Sequence, residues 1–276
     1  DGLAAYPVEK GSGAVSALLD ADGYVEIGED VRAIEEGERV IVRLLSGEIA
    51  FPDLLIIGSH CLGVDVIARL MAEKGYAVRS INAGSAGGLR AIRKGIADVA
   101  GVHLLDESGV YNEPFVRGID GVALVKGYVR EQGLIVAKGN PLHIKSIGDL
   151  PGKRFINRTK GSGTRTLLDL QLKKLAGERH TTPEALADSI PGYDVEAKTH
   201  SAVASAILAG RADAGLGIRT VADQNGLDFI PLRDEEYDFV LQKSRMDKPA
   251  VQAFLDVLGS AEFRERIRRL GYRPRP

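Results

Sequence analysis

The feature that most constrains this chain is a recurring order of elements: a short apolar strand, a turn of glycine and hydroxyl residues, then a stretch with helical periodicity. Leu54 to Gly58 read as a buried strand, Ser59-His60 as the turn, and Leu62 to Lys74 as a helix packed by one face through Val66 and Leu70. Tyr76 to Asn82 run into Ala83-Gly84-Ser85-Ala86-Gly87-Gly88 and a helix over Leu89 to Lys94, and Ala97 to Val102 form a third strand. After a break the pattern returns: Arg154 to Asn157, the turn Lys160-Gly161-Ser162-Gly163-Thr164-Arg165, and a helix over Thr166 to Leu175. Asp194 to Ala197, Thr199-His200-Ser201 and Ala202 to Ala209 repeat it once more, and Ala212 to Gly217 add a strand. Tyr237 to Gln242 read as a last strand before two closing helices, Pro249 to Leu258 and Ala261 to Leu270. Strands alternating with helices predict an α/β fold with largely parallel sheets and helices on both faces.

Turns at the carboxyl ends of strands are where open α/β sheets place their ligands. Each of these turns also opens a helix, whose first amides lack intrahelical partners and carry the positive end of the helix dipole, so an anion is favoured there. Glycine lets the backbone approach closely, while Ser59, Ser85, Ser162, Thr164 and Ser201 offer hydroxyls, with Ala86 and Gly163 beside them. Arg158 and Arg165 flank the richest turn and can supply charge or a planar fork for a carboxylate or phosphate. His60 and His200 sit in two further turns as candidate donors. Each junction taken alone is equally an ordinary helix cap, and either histidine equally a residue satisfied by its own backbone. The candidate ligand-binding set is therefore Ser59, His60, Ser85, Ala86, Arg158, Ser162, Gly163, Thr164, Arg165, His200 and Ser201.

Several function classes are excluded or disfavoured. Lys160 precedes its glycines and no Gly-Lys-Ser/Thr follows, the wrong order for a phosphate loop. No His, Asp and Glu set has metal-ligand spacing, and neither a Gly-x-Ser-x-Gly elbow nor a nucleophile-and-base pair is legible, so no catalytic residue and no cofactor is assigned. With a net charge of −2 the chain lacks the basic excess of a nucleic-acid surface, and the arginines at 264, 266, 268 and 269 read as a solvated helix face. Apolar runs fall far short of the roughly 20 residues of a membrane span. Cys61 is the single cysteine, which excludes an internal disulfide. The start at Asp1 is expected either of a fragment or of a mature chain whose leader was removed.

Residues 1–50 differ from the rest: short β-rich pieces are split by turns at Gly11-Ser12-Gly13, Asp22-Gly23, Glu36-Gly37 and Ser46-Gly47, predicting a small all-β unit. The composition changes near Pro52.

Residues 53–272 resemble type II periplasmic binding proteins, in particular the cytoplasmic branch akin to molybdate and tungstate receptors and to effector domains of transcription regulators. The phrases that carry this are Arg130-Glu131-Gln132-Gly133-Leu134, Gly139-Asn140-Pro141, Ser146 to Pro151 leading into Asn157 to Arg165, Ser201 to Gly217, and Ser260 to Tyr272. The resemblance implies a mixed, mainly parallel two-lobed fold over 51–276, with lobe one at 52–127 and 234–276 and lobe two at 128–233. It further implies two crossings, near Val125–Arg130 and Leu232–Tyr237, and a ligand held between the lobes. Gly11 to Leu18, Asp22-Gly23 and Glu36 to Val42 resemble the C-terminal β-barrel of the molybdopterin molybdenumtransferase family. That implies a parent protein whose catalytic domains lie upstream, and a chain that itself inserts no metal.

Together the two resemblances imply a non-enzymatic, cytoplasmic module that binds a small anion such as molybdate or tungstate and senses or delivers it for molybdenum-cofactor biosynthesis. Its partners would be the small anion and the upstream domains, with no nucleic acid and no membrane span. The alternatives are a secreted solute receptor of a transporter, extracytoplasmic after loss of a leader, and a regulatory effector domain for a small organic acid.

Overall fold

A computed structural model describes residues 3, 5–7, 21–35, 37–47 and 51–275. The chain divides into two compact units, Asp1–Pro52 and Asp53–Pro276. In the first, β1 (Gly23–Tyr24) pairs antiparallel with β2 (Arg43–Leu44), giving a small β sheet. The predicted turn at Gly11-Ser12-Gly13 and the segment Ala14 to Leu18 lie outside the described residues.

The second unit is a mixed α/β fold. Its elements begin with β3 (Leu54–Gly58), α1 (Leu62–Glu73), β4 (Val78–Asn82), α2 (Gly84–Arg93), β5 (Val99–Val102), α3 (Glu113–Val116) and β6 (Val122–Val136). They continue with β7 (Phe155–Arg158), α4 (Gly163–Glu178), α5 (Pro183–Asp188), β8 (Glu196–Ala197), α6 (His200–Leu208), β9 (Ala214–Ile218), α7 (Arg219–Gln224) and β10 (Asp228–Gln242). The unit closes with α8 (Pro249–Gly259), α9 (Ala261–Arg269) and β11 (Arg273–Pro274). The strands follow the order β4-β3-β5-β10-β6-β9-β7-β8, with β11 beside β6. Pairing is parallel within the two ends, β4-β3-β5 and β9-β7-β8, and antiparallel where β10 and β6 join them.

The two strands in the middle of that order are 15 residues each, far longer than the apolar strands of the sequence pattern, and carry the chain between the two ends of the sheet. Their apolar segments serve different cores. Tyr128, Tyr237 and Phe239 pack with Leu54, Ile67, Met71, Phe254, Phe263 and Tyr272 in one. Leu134 enters a second with Phe155, Leu167, Leu172 and Leu216, while the next residue, Ile135, enters a third with Val203, Ile207, Ile218 and Val221. Opposite destinations for adjacent residues are the signature of a strand buried on both faces. Among the described residues, no helix is long and apolar enough to cross a membrane.

Glycines set how closely α2 lies on the sheet and how closely β3 and β5 approach each other at Gly58 and Gly101. A β-carbon on Gly88 would stand 2.6 Å from the Ile57 carbonyl oxygen, and one on Gly58 would stand 2.5 Å from the Gly101 carbonyl oxygen. Both obstacles are backbone and cannot turn aside. Gly88→Ala is therefore expected to lower stability by about 1–3 kcal/mol through overpacking. Urea unfolding will show this as a lower midpoint than that of Gly118→Ala, where the added β-carbon meets nothing within 4 Å.

Candidate functional site

Three strand ends of the first lobe converge on His103, which follows β5. Ser59, just past β3, lies with its Oγ 2.7 Å from His103 Nε2, and its backbone N–H donates to the Gly101 carbonyl at 2.9 Å. Ser85, in the first turn of α2, accepts the His103 backbone N–H on its Oγ at 3.1 Å. The small residues of the first two turns thus hold a histidine at the mouth of the third strand.

The crossing strands form the floor. Arg130 and Glu235 are register partners on β6 and β10, and both side chains are buried. Arg130 Nε donates to Glu235 Oε2 at 2.7 Å, and the Gln132 amide donates to Glu235 Oε1. His103 Nδ1 lies 2.7 Å from the same Oε1, without the alignment of a good hydrogen bond. Burial alone would push the Glu235 carboxyl up, but Arg130 and then His103 outweigh it and hold it at about 2. The floor is backed by stacked rings: His103 on Tyr237 at 5.8 Å, Tyr237 on Tyr128 at 5.0 Å, and Tyr128 on Tyr272 at 5.5 Å between centroids. Arg130 also lies over the Tyr237 ring, 5.1 Å from its centre.

The second lobe approaches through the start of α4. A β-carbon on Gly163 would stand 2.8 Å from the His103 carbonyl oxygen, so glycine is what allows this helix opening to reach the opposite wall. Thr164 Oγ1 accepts from Gln132 Nε2 at 3.2 Å. Arg158, at the end of β7, is 9% exposed and gives its Nη1 to the Ala197 carbonyl at 2.9 Å. Its Nε is buried without a partner, and among the described residues no carboxylate forms an ion pair with it. Burial pushes Arg158 down to about 10, with Glu235 opposing and Arg130 adding to the shift. His200 opens α6 with its Nδ1 shielded and unpartnered, and burial, then Arg158 and Arg130, hold its pKa well below the ordinary value. Neutral near pH 7, it can give or take one hydrogen bond.

Ser59, Ser85, Gly163, Thr164, Arg158 and His200 thus all belong to this neighbourhood. Arg165 is also buried and its Nη1 also lacks a hydrogen-bond partner, but its charge is paired with Asp169 at 3.0 Å and it lies over the Tyr193 ring, 4.4 Å from the centre. Ser162 is the α4 cap, its Oγ accepting from the Arg165 N–H at 3.3 Å. His60 lies exposed and paired with Asp65 at 2.8 Å, while Ala86 and Ser201 are exposed. Ala86 lines a separate groove with Leu89, Arg90 and Phe115.

Sequence reasoning passed over His103, Arg130, Gln132 and Glu235. His103 stands directly after a predicted strand, the position at which Ser59 was found, and differs only in lacking a glycine or hydroxyl neighbour. The other three are polar residues within strands, where a turn-based search does not look.

A groove of about 660 Å³ lies elsewhere, lined by Tyr111, Lys126, Arg233, Glu236, Asp238 and Arg275 among others. Its Arg275 is paired with Glu236 at 2.7 Å and Asp238 at 2.8 Å, while its Arg233 donates to the Gly109 carbonyl and lies over the Tyr111 ring, 5.4 Å from its centre. Among the described residues, no cluster of three or more His, Cys, Asp and Glu is arranged to hold a metal ion.

The depressed Glu235 carboxyl makes the floor sensitive to acid. Its folded value lies below the unfolded one, so its contribution to stability is complete above about pH 4.5 and is lost as pH falls toward about 2. Glu235→Gln leaves Arg130 buried without its counter-charge and is expected to cost about 3–5 kcal/mol at pH 7. Urea unfolding at a series of pH values checks both points, since the gap between the two proteins should narrow on acidification.

Residues 68–259 match the PBP superfamily domain, and residues 1–45 match the MoeA C-terminal region, its domain IV. The chain is 38% identical over 230 residues to YvgK of Bacillus subtilis (strain 168), an alignment covering 80% of this chain and 71% of that protein. In fold it is similar to an ABC-type phosphate transport receptor from Vibrio cholerae, at a TM-score of 0.56 and 16% identity, over 81% of this chain and 100% of the receptor. It is likewise similar to the sulfate-binding protein SubI of Mycobacterium tuberculosis, at a TM-score of 0.58 and 16% identity, over 80% and 86% of the two chains. Crossing strands between two α/β lobes, together with a match over most of the chain, make this protein a member of the PBP superfamily.

Proposed function

We propose that the chain binds a small anion in the cleft between its lobes, held by Arg158, the first-turn amides of α4 and the hydroxyls of Ser59, Ser85 and Thr164. The observation that carries this reading is Arg158: a buried guanidinium without a carboxylate partner among the described residues is an unbalanced charge. A buried cation is costly unless paired, and an anionic guest would supply the missing partner. The phosphate receptor and the sulfate-binding protein that share this fold are named for small anions, which supports the same class.

Two readings of the ligand follow from different observations. The match of residues 1–45 to a MoeA region favours molybdate or tungstate, sensed or delivered in the cytoplasm for a parent protein whose catalytic domains perform molybdenum-cofactor chemistry. Arg158 favours a small organic acid, because a guanidinium fork suits a carboxylate. In both, the chain itself is a binding module and not the catalyst.

Thermal unfolding with molybdate, tungstate, sulfate, phosphate and small carboxylates tests the reading. A ligand at about 100 times its Kd should add roughly 2.7 kcal/mol of stability. Arg158→Gln should weaken the best anion by about 2–5 kcal/mol, as expected for loss of one partner of a buried charge pair. An Arg158→Gln protein that binds its anion as tightly as the unaltered chain would sink the assignment.

A further inference from the structure

The Glu235 carboxylate is supplied with donors by Arg130 and Gln132; the Gln132 carbonyl oxygen is a buried acceptor that is not. The Gln132 side chain is fully buried, and its Nε2 donates both to Glu235 and, at 3.2 Å, to Thr164 Oγ1. An ionised carboxylate only accepts, so Gln132 must present its NH₂ to Glu235, and the amide cannot be turned over. Its Oε1 is thereby fixed as an acceptor, buried and without a donor among the described residues. Such a group is rare in folded proteins and calls for an explanation. Gln132 stands beside Glu235 and touches the first turn of α4, and Glu235 interacts electrostatically with both Arg158 and His200, so the residue bearing the unsatisfied oxygen shares the neighbourhood of those two side chains.

Taking the cleft as an anion site, we propose that its ligand carries at least one O–H or N–H donor beside its anionic group, and that Gln132 Oε1 receives it. A hydroxy acid, an amino acid and hydrogen phosphate all have that chemistry. Molybdate, tungstate and sulfate at neutral pH carry only acceptors. They would leave Oε1 unsatisfied and set their own lone pairs against it. Sites built to hydrogen-bond a substrate group reject analogues lacking it far more strongly than apolar pockets reject a missing methylene. The requirement therefore favours the second of the two ligand readings, or phosphate, over the fully ionised tetrahedral anions.

The test is calorimetry on the full chain at neutral pH with matched pairs: lactate against propionate, malate against succinate, and phosphate against sulfate, with molybdate and tungstate alongside. The donor-bearing member of at least one pair is expected to bind about tenfold to a hundredfold more tightly than its partner. The organic and inorganic pairs separate a hydroxy acid from phosphate. Gln132→Met, which removes the acceptor, is expected to erase most of that preference; should the variant fail to fold, the pairs on the unaltered chain still decide. Sulfate, molybdate or tungstate binding as tightly as every donor-bearing compound overturns the donor requirement while leaving the anion site standing. A chain that no anion of the panel binds overturns the anion site itself, and the inference with it.

Discussion

The ion pair between Arg130 and Glu235 is the constraint around which the site is arranged. The two residues face each other in the register of β6 and β10, where the chain passes between lobes, and both are out of contact with water. Removing two charges from water is favourable only when geometry and further hydrogen bonds make up the loss. Here the further hydrogen bond comes from Gln132, and His103 Nδ1 lies against the same carboxylate oxygen at 2.7 Å, which ties the floor to the first lobe. Gln132 passes the connection to Thr164 and the second lobe. One buried carboxylate thus fixes the histidine, the amide and a helix opening in a common frame.

That frame explains why the two arginines of the second lobe differ. Arg165, although buried, has Asp169, Tyr193 and more distantly Glu196, and belongs to the packing of α4. Arg158 is buried with only the Ala197 carbonyl, and the carboxylate that influences it, Glu235, is already committed to Arg130. A net positive charge therefore remains in the cleft although the chain as a whole carries −2. If the proposed anion binds there, its attraction is local, since the chain has no broad basic excess.

Much of the fold was legible because strand and helix periods are strong signals in buried elements. The strand-to-helix junctions at Ser59, Ser85, Thr164 and His200 are present, but three helices begin earlier than the pattern indicates, at Gly84, Gly163 and His200 instead of Leu89, Thr166 and Ala202, because residues read as turn form their first turns. The closing helices at Pro249–Gly259 and Ala261–Arg269 start where the pattern starts. The crossing strands were less readable as local pattern. Arg130-Glu131-Gln132 and Arg233-Asp234-Glu235-Glu236 interrupt their apolar runs, and charged residues in an isolated sequence window read as loop or surface. They are compatible with strand here because partners sit across the register: Glu235 for Arg130, and Arg219 for Glu131. Pairing over a separation of about 100 residues leaves no trace in a window of a dozen. Local rules failed where buried polar groups replaced core residues, which is where such failures are expected. The cap at Ser162 illustrates the opposite error: a hydroxyl nominated from its place in a turn can be fully explained by its helix.

The distribution of the site between two walls and a floor also determines how binding can act on the protein. Ser59, Ser85 and His103 come from the first lobe, Arg158, Thr164 and His200 from the second, and only their apposition brings the Gly163 backbone against the His103 carbonyl. A guest that touches both walls makes its full set of contacts only when the lobes are together, so its binding energy differs between open and closed arrangements. That difference is the whole of what a ligand can contribute to a conformational equilibrium; contacts with one wall alone would bind without shifting it. Arg158 and His200 would hold the guest on one side, and Ser59 and His103 would read it from the other. The strands that carry Gln132 and Glu235 run through the middle of the sheet and serve the cores on both sides, so under the proposed reading the floor, and not either wall, is where ligand identity would be coupled to any movement of the lobes.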